Sequence, residues 1–117
     1  MTSEGTHDVT IRYFEENKFF GLVKADVAFF RQGEMPCMSF EGKMLLGARD
    51  AIAMAPDGNG GVYEALFREG ILADMQKRGL KYIHFYGVDN CLVKVGDPVF
   101  VGFGDMMKAQ ACSKVTA

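Results

Sequence analysis

The chain holds 117 residues, with 13 Lys+Arg against 15 Asp+Glu and a formal net charge of −2. Hydrophobic residues make up 49% and charged residues 24%, the balance of a globular chain, which excludes intrinsic disorder along most of the length. The length fits one domain, and the faintly acidic charge argues against a duplex-binding protein, whose phosphate contacts want a basic face. No apolar run approaches the roughly 20 residues that span a bilayer, so no membrane partner is expected. Residues 1–8 lack the basic and apolar regions of a signal peptide. Cys37, Cys91 and Cys112 are scattered, odd in number and without a Cys-x-x-Cys pair. That pattern suits a reducing cytoplasm better than a disulfide framework or a zinc site.

In chain order, Thr6 or Asp8 can cap a helix that runs to about residue 18, with Ile11 and Phe14 on one face and Gly21 as its stop. Val27-Ala28-Phe29-Phe30 predicts a short strand ending at Arg31-Gln32-Gly33. Residues 35–40 and 43–46 predict two strands joined at Glu41-Gly42, where the glycine supplies a positive φ. The densest turn signal follows, Ala55-Pro56-Asp57-Gly58-Asn59-Gly60-Gly61. A helix begins near Val62, with Val62, Tyr63, Leu66 and Phe67 as its apolar face. Gly70 interrupts it, and a second piece runs from Ile71 to about residue 78, closed by Gly79. Residues 82–88 form an almost unbroken apolar run, the pattern of a strand buried on both faces in a parallel sheet. Asp97-Pro98 predicts a helix N-cap and first turn, with the helix reaching about residue 108, and residues 112–116 a last strand. Helices alternating with strands predict a three-layer α/β/α fold with a mainly parallel sheet and a small β-hairpin insertion.

Two loops could carry chemistry, because open α/β sheets bind ligands beyond the carboxyl ends of their strands. Residues 56–61 let the backbone approach a ligand closely and lead into a helix start; the alternative is an ordinary tight loop. Its spacing matches neither a dinucleotide fingerprint nor a P-loop. Asp89 ends the buried strand and could hold Mg²⁺ through hard oxygen contacts, or it could cap the following turn. One carboxylate does not complete a dedicated metal site, and Asp97 is committed to capping. His84 lies in the apolar strand as a core histidine, His7 lies in the solvated start, and no His stands beside a cysteine to make a thiolate.

The string Ala55-Pro56-Asp57-Gly58-Asn59-Gly60-Gly61 resembles the signature of the UDP-N-acetylglucosamine (UDP-N-acetylhexosamine) pyrophosphorylase family of eukaryotes. The flanks agree in order: Met1-Thr2-Ser3, Phe29-Phe30-Arg31-Gln32-Gly33, Met35-Pro36-Cys37, Asp74-Met75, Arg78-Gly79, Tyr86-Gly87-Val88-Asp89-Asn90, Leu92-Val93-Lys94-Val95 and Asp97-Pro98. Glucose-type members carry a different Gly-His-Gly loop at this place. The resemblance covers nearly the whole chain.

It implies a Rossmann-like, GT-A-like nucleotidyltransferase fold and conversion of UTP and N-acetylglucosamine 1-phosphate to UDP-N-acetylglucosamine and pyrophosphate, with Mg²⁺. It further implies that Gln32 and the Gly58 backbone contact uracil, that Asn59 contacts the amino sugar and that Asp89 is a metal ligand. No side-chain nucleophile is needed. Gly87 stands where the family carries Cys. The family's Gly-x-Gly-Thr-Arg-Leu loop, its following lysine and its second acidic metal ligand have no counterpart here. Residues 1–117 are therefore expected to be the central part of a catalytic domain, inactive when isolated; a non-catalytic nucleotide-sugar-binding or partner-binding remnant is the alternative.

Overall fold

The computed structural model describes residues 1–115 and divides into two compact units, residues 1–78 and 79–117.

In the first unit, α1 (His7–Glu16) starts after Thr6, but the Thr6 hydroxyl accepts the Ser3 N–H (3.0 Å) instead of capping the helix. After Asn17 the chain turns left-handed through Lys18, Phe19, Phe20 and Gly21, with φ of 51°, 53°, 53° and 83°. Such a turn costs L-residues about 1–2 kcal/mol each. Aromatic packing offsets it. Phe19 becomes buried, and the Phe14 ring sits edge-on to Phe19, Phe20 and Phe29 at 6.2, 5.2 and 5.0 Å. The helix face predicted through Ile11 and Phe14 is thus the packed one, and both are half-buried.

The predicted strand at residues 27–30 is extended chain with a single bridge. The Thr2 N–H donates to Phe30 O (2.9 Å) and the Gln32 N–H to Thr2 O (2.8 Å), a parallel pairing of Thr2 with Arg31. β1 (Glu34–Pro36) pairs antiparallel with β4 (Met54–Pro56), and β2 (Leu46–Ala48) with β3 (Ala51–Ile52). The hairpin at Glu41-Gly42 is present as a Met38–Met44 bridge closed by Gly42, at φ 78°. A ring of backbone bonds ties these segments: Cys37 N–H to Ala53 O, Ala53 N–H to Leu45 O and Leu45 N–H to Cys37 O, at 2.7, 2.9 and 2.9 Å. That ring gives β1 a different ladder partner from the one predicted.

α2 (Val62–Arg68) buries Ala65 and Leu66 and half-buries Val62, while Tyr63 and Phe67 of the predicted apolar face are exposed. Gly70 (φ 73°) breaks the helix, α3 (Ile71–Lys77) follows, and Gly79 (φ 68°) ends it, as the glycine positions predict. Arg78 Nη2 donates to Asp26 Oδ1 at 2.7 Å and ties the end of α3 back to residues 24–26.

In the second unit, residues 82–88 run without helix or strand, and no ladder involves them among the described residues. A strand buried on both faces requires neighbours on both edges, and the described residues place none there. His84 is a satisfied histidine: its Nδ1 accepts the Gly96 N–H (3.1 Å) and its ring lies 5.5 Å from Tyr86 and 6.4 Å from Phe100. α4 (Pro98–Met106) opens as predicted, with Asp97 Oδ1 accepting the Val99 N–H at 3.1 Å. The Tyr82 hydroxyl donates to the Asp105 carboxylate. Residues 112–115 form no strand, and Thr116, the end of the predicted one, lies outside the described residues.

The described sheets are therefore two antiparallel pairs, and the expected mainly parallel sheet is not formed by the described residues. No described helix is long and apolar enough to cross a membrane.

Candidate functional site

The β1–β4 ladder brings the two predicted base-contacting residues together. Glu34 faces Pro56 in register, and the Asp57 N–H donates to Gly33 O at 3.0 Å, carrying the pairing one step further. Gln32 and Gly58 are the next residue on either side of that last bond. Gly58 has φ 91° and ψ 174°, a conformation that L side chains avoid, so glycine is required for the chain to leave the ladder here. Asn59 follows at once and starts a 3₁₀ turn, Asn59–Gly61, that runs into α2.

The backbone around Gln32 is held from three directions. Its own N–H is bound by Thr2, the Arg31 carbonyl accepts Arg68 Nη2 (3.2 Å), and the Gly33 carbonyl accepts Asp57 N–H. Gln32 is half-buried, Gly58 and Asn59 are exposed, and neither the Gln32 nor the Asn59 amide hydrogen-bonds to another described residue. Both amides are available to a ligand.

Asp89 belongs to the second unit, in the turn that follows residues 82–88, and is exposed. The capping role open to it in the sequence falls to its neighbour, since Asn90 Oδ1 accepts the Leu92 N–H at 3.1 Å. Among the described residues the Asp89 carboxylate has no hydrogen-bond or ion-pair partner. No cluster of three His, Cys, Asp or Glu side chains that could hold a metal occurs among the described residues. A single accessible carboxylate fits Mg²⁺, which keeps several waters and is held by one or two carboxylates plus substrate phosphates.

Two residues escaped prediction. His7 is not simply solvated: it is half-buried, and its Nδ1 lies 2.7 Å from Thr2 Oγ1, which supports the segment that binds the Gln32 N–H. Arg68, read only as part of a helix, reaches back to the Arg31 carbonyl.

The model of the UTP–glucose-1-phosphate uridylyltransferase family matches residues 1–117. The chain belongs to that family. It is 47% identical over 115 residues to UDP-N-acetylglucosamine diphosphorylase 2 of Arabidopsis thaliana, covering 98% of this chain and 23% of the relative. It is 49% identical, with the same coverage, to UDP-N-acetylhexosamine pyrophosphorylase-like protein 1 of Mus musculus. A crystal structure from Entamoeba histolytica, assigned as a UDP-N-acetylglucosamine pyrophosphorylase, superposes with a TM-score of 0.86 at 40% identity, over 92% of this chain and 27% of that one. The segment thus shares the α/β nucleotidyltransferase fold of these relatives. Within the family, these relatives are named for the N-acetylated sugar and not for glucose, in accord with the loop at residues 56–61. The chain spans about a quarter of their length.

Proposed function

We propose that the chain forms the base-, sugar- and metal-contacting part of a uridylyltransferase that makes UDP-N-acetylglucosamine. The observation that carries this reading is the Asp57–Gly33 bond at the open end of the β1–β4 ladder, which leaves Gln32 and Gly58 as the next residue on each segment, with Asn59 after Gly58. The Gln32 amide donates and accepts at once and so matches the imide edge of uracil. Gly58, bare of a side chain, lets the backbone lie against the flat base. Asn59 offers an amide to the N-acetyl group of the sugar. Asp89 would hold Mg²⁺, which when bound would supply positive charge against the charge that develops as pyrophosphate leaves. In the reaction a phosphate oxygen of N-acetylglucosamine 1-phosphate attacks the α-phosphorus of UTP, and the bond from that phosphorus to the pyrophosphate oxygen breaks. No side chain has to act as a nucleophile.

The test is a graft. This chain replaces its counterpart in the Arabidopsis relative, and pyrophosphate release is measured with UTP and N-acetylglucosamine 1-phosphate. Turnover that requires both substrates is expected, and a folded but inactive graft overturns the reading. The isolated chain is expected to be inactive. Tight calorimetric binding of UDP-N-acetylglucosamine by the isolated chain, together with an inactive graft, supports a binding remnant instead.

A further inference from the structure

We propose that Asp57 is a positioning residue whose carboxylate, lodged between Gly33 and Gly61, sets the separation of Gln32 from the Gly58-Asn59 turn and with it the fit of the pyrimidine base.

A Cβ on Gly33 would run into Asp57 Oδ2, and a Cβ on Gly61 would stand 2.5 Å from both carboxylate oxygens. Neither glycine is there for its backbone. Gly61 has φ −63° and ψ −9°, open to any residue, and Gly33 has no positive φ. Gly58 is the reverse case, with φ 91° and open space where a Cβ would go. The chain therefore uses glycine at 58 for conformation, and at 33 and 61 to make room for one side chain.

That side chain is fastened by shape and backbone. Asp57 N–H donates to Gly33 O, while Oδ1 is shielded from solvent and has no hydrogen-bond partner among the described residues. Arg68 Nη1 lies 3.8 Å from the same Gly33 Cβ position, but its ion pair is with Glu69, at 3.2 Å from Nε, and not with Asp57. Asp57 thus spaces two backbones, one carrying Gln32 and the other Gly58 and Asn59. A shift of either changes the gap the base must fill, and loss of a base contact made equally in the ground and transition states raises KM with kcat unchanged.

The inference rests on the uridylyl-transfer reading, and its test uses the same Arabidopsis graft. Steady-state constants for UTP are compared among Gly33→Ala, Asp57→Ala and the double variant. With Asp57 present, Gly33→Ala is expected to raise KM for UTP at least about tenfold while kcat changes less than about threefold. With Asp57→Ala the methyl group enters the vacated space, and the same substitution changes KM less than about twofold. An equal factor in both backgrounds, or no effect of Gly33→Ala, overturns the proposal. If the Gly33→Ala graft fails to fold, Gly61→Ala makes the same comparison against the same carboxylate. Melting temperatures of the same variants read the coupling without nucleotide. An inactive unsubstituted graft overturns the uridylyl-transfer reading and with it the fit to the base, whereas melting shifts of Gly33→Ala that are equal with and without Asp57 overturn the spacing role by themselves.

Discussion

Gln32 and Gly58 are the first residues beyond the β1–β4 ladder, one on each segment, next to the Asp57–Gly33 bond that extends the register of Glu34 with Pro56. Replacing Gln32 by Ala in the graft removes one donor and one acceptor from the base edge. A bidentate base contact is worth about 1–3 kcal/mol, so KM for UTP should rise on the order of tenfold to a hundredfold. A KM within about twofold of the unsubstituted graft would show that Gln32 does not touch the base.

Gly58→Ala acts on the other side of that pair. Space is open at the Cβ position, so the cost is conformational and comes from φ 91°. A non-glycine residue held there costs on the order of 1–3 kcal/mol. The graft should melt lower and bind UTP more weakly, with both effects appearing together in a thermal scan and a KM measurement. An unchanged melting temperature would mean that the turn relaxes freely.

What the sequence showed plainly is local chemistry. Gly70 and Gly79 end helices because a left-handed residue suits that position, and Asp97-Pro98 opens α4 because its carboxylate reaches the Val99 N–H two residues on. The candidate site was legible for the same reason, since Pro56 through Gly61 carries its turn chemistry in the residue types themselves. The strand at residues 82–88 was not realised, because a strand is completed by neighbours and none pairs with it among the described residues. The β2–β3 hairpin went unseen because its Arg49-Asp50 connection has no glycine to announce it. Asp57 and Arg68 were invisible because their partners lie 24 and 37 residues away, at Gly33 and Arg31.

Asp89 is exposed and has no partner among the described residues, so Asp89→Asn should leave the melting temperature of the graft within about a degree, as surface changes usually do. If it holds Mg²⁺, the same change lowers kcat on the order of a hundredfold or more and raises the Mg²⁺ concentration for half-maximal rate. An unaltered kcat and Mg²⁺ requirement would remove Asp89 from the metal site.

The Asp97 carboxyl is held below its ordinary 3.8, first by the hydrogen bond from Lys114 and then by the Val99 N–H that it caps. A depressed folded value means that this stabilisation is complete above the unfolded carboxyl range and disappears as pH falls through the folded value. In the graft, protection of the Val99 amide, measured against the intrinsic exchange rate at each pH, should therefore fall as pH drops from about 5 towards about 2. Asp97→Ala should leave the Val99 amide poorly protected at every pH, and a variant that keeps the acid-dependent loss of protection would assign it to another group.

The second unit buries little: Gly104 is its one fully buried described residue, while Val88, Leu92 and Val99 are 89%, 86% and 79% exposed. Ordering a residue costs about 1–2 kcal/mol of backbone entropy, which so little burial does not offset. The isolated chain should bind a hydrophobic dye and show no cooperative melting of residues 79–117. The graft should do neither, because the host's strands cover residues 82–88. Val88→Asp separates the two states. In the graft it buries a charge, which costs several kcal/mol and should lower the melting temperature by roughly ten degrees or more. In the isolated chain, where Val88 is already open to water, it should change almost nothing. Equal effects in both settings would mean that Val88 stays at the surface and that residues 82–88 do not join a sheet.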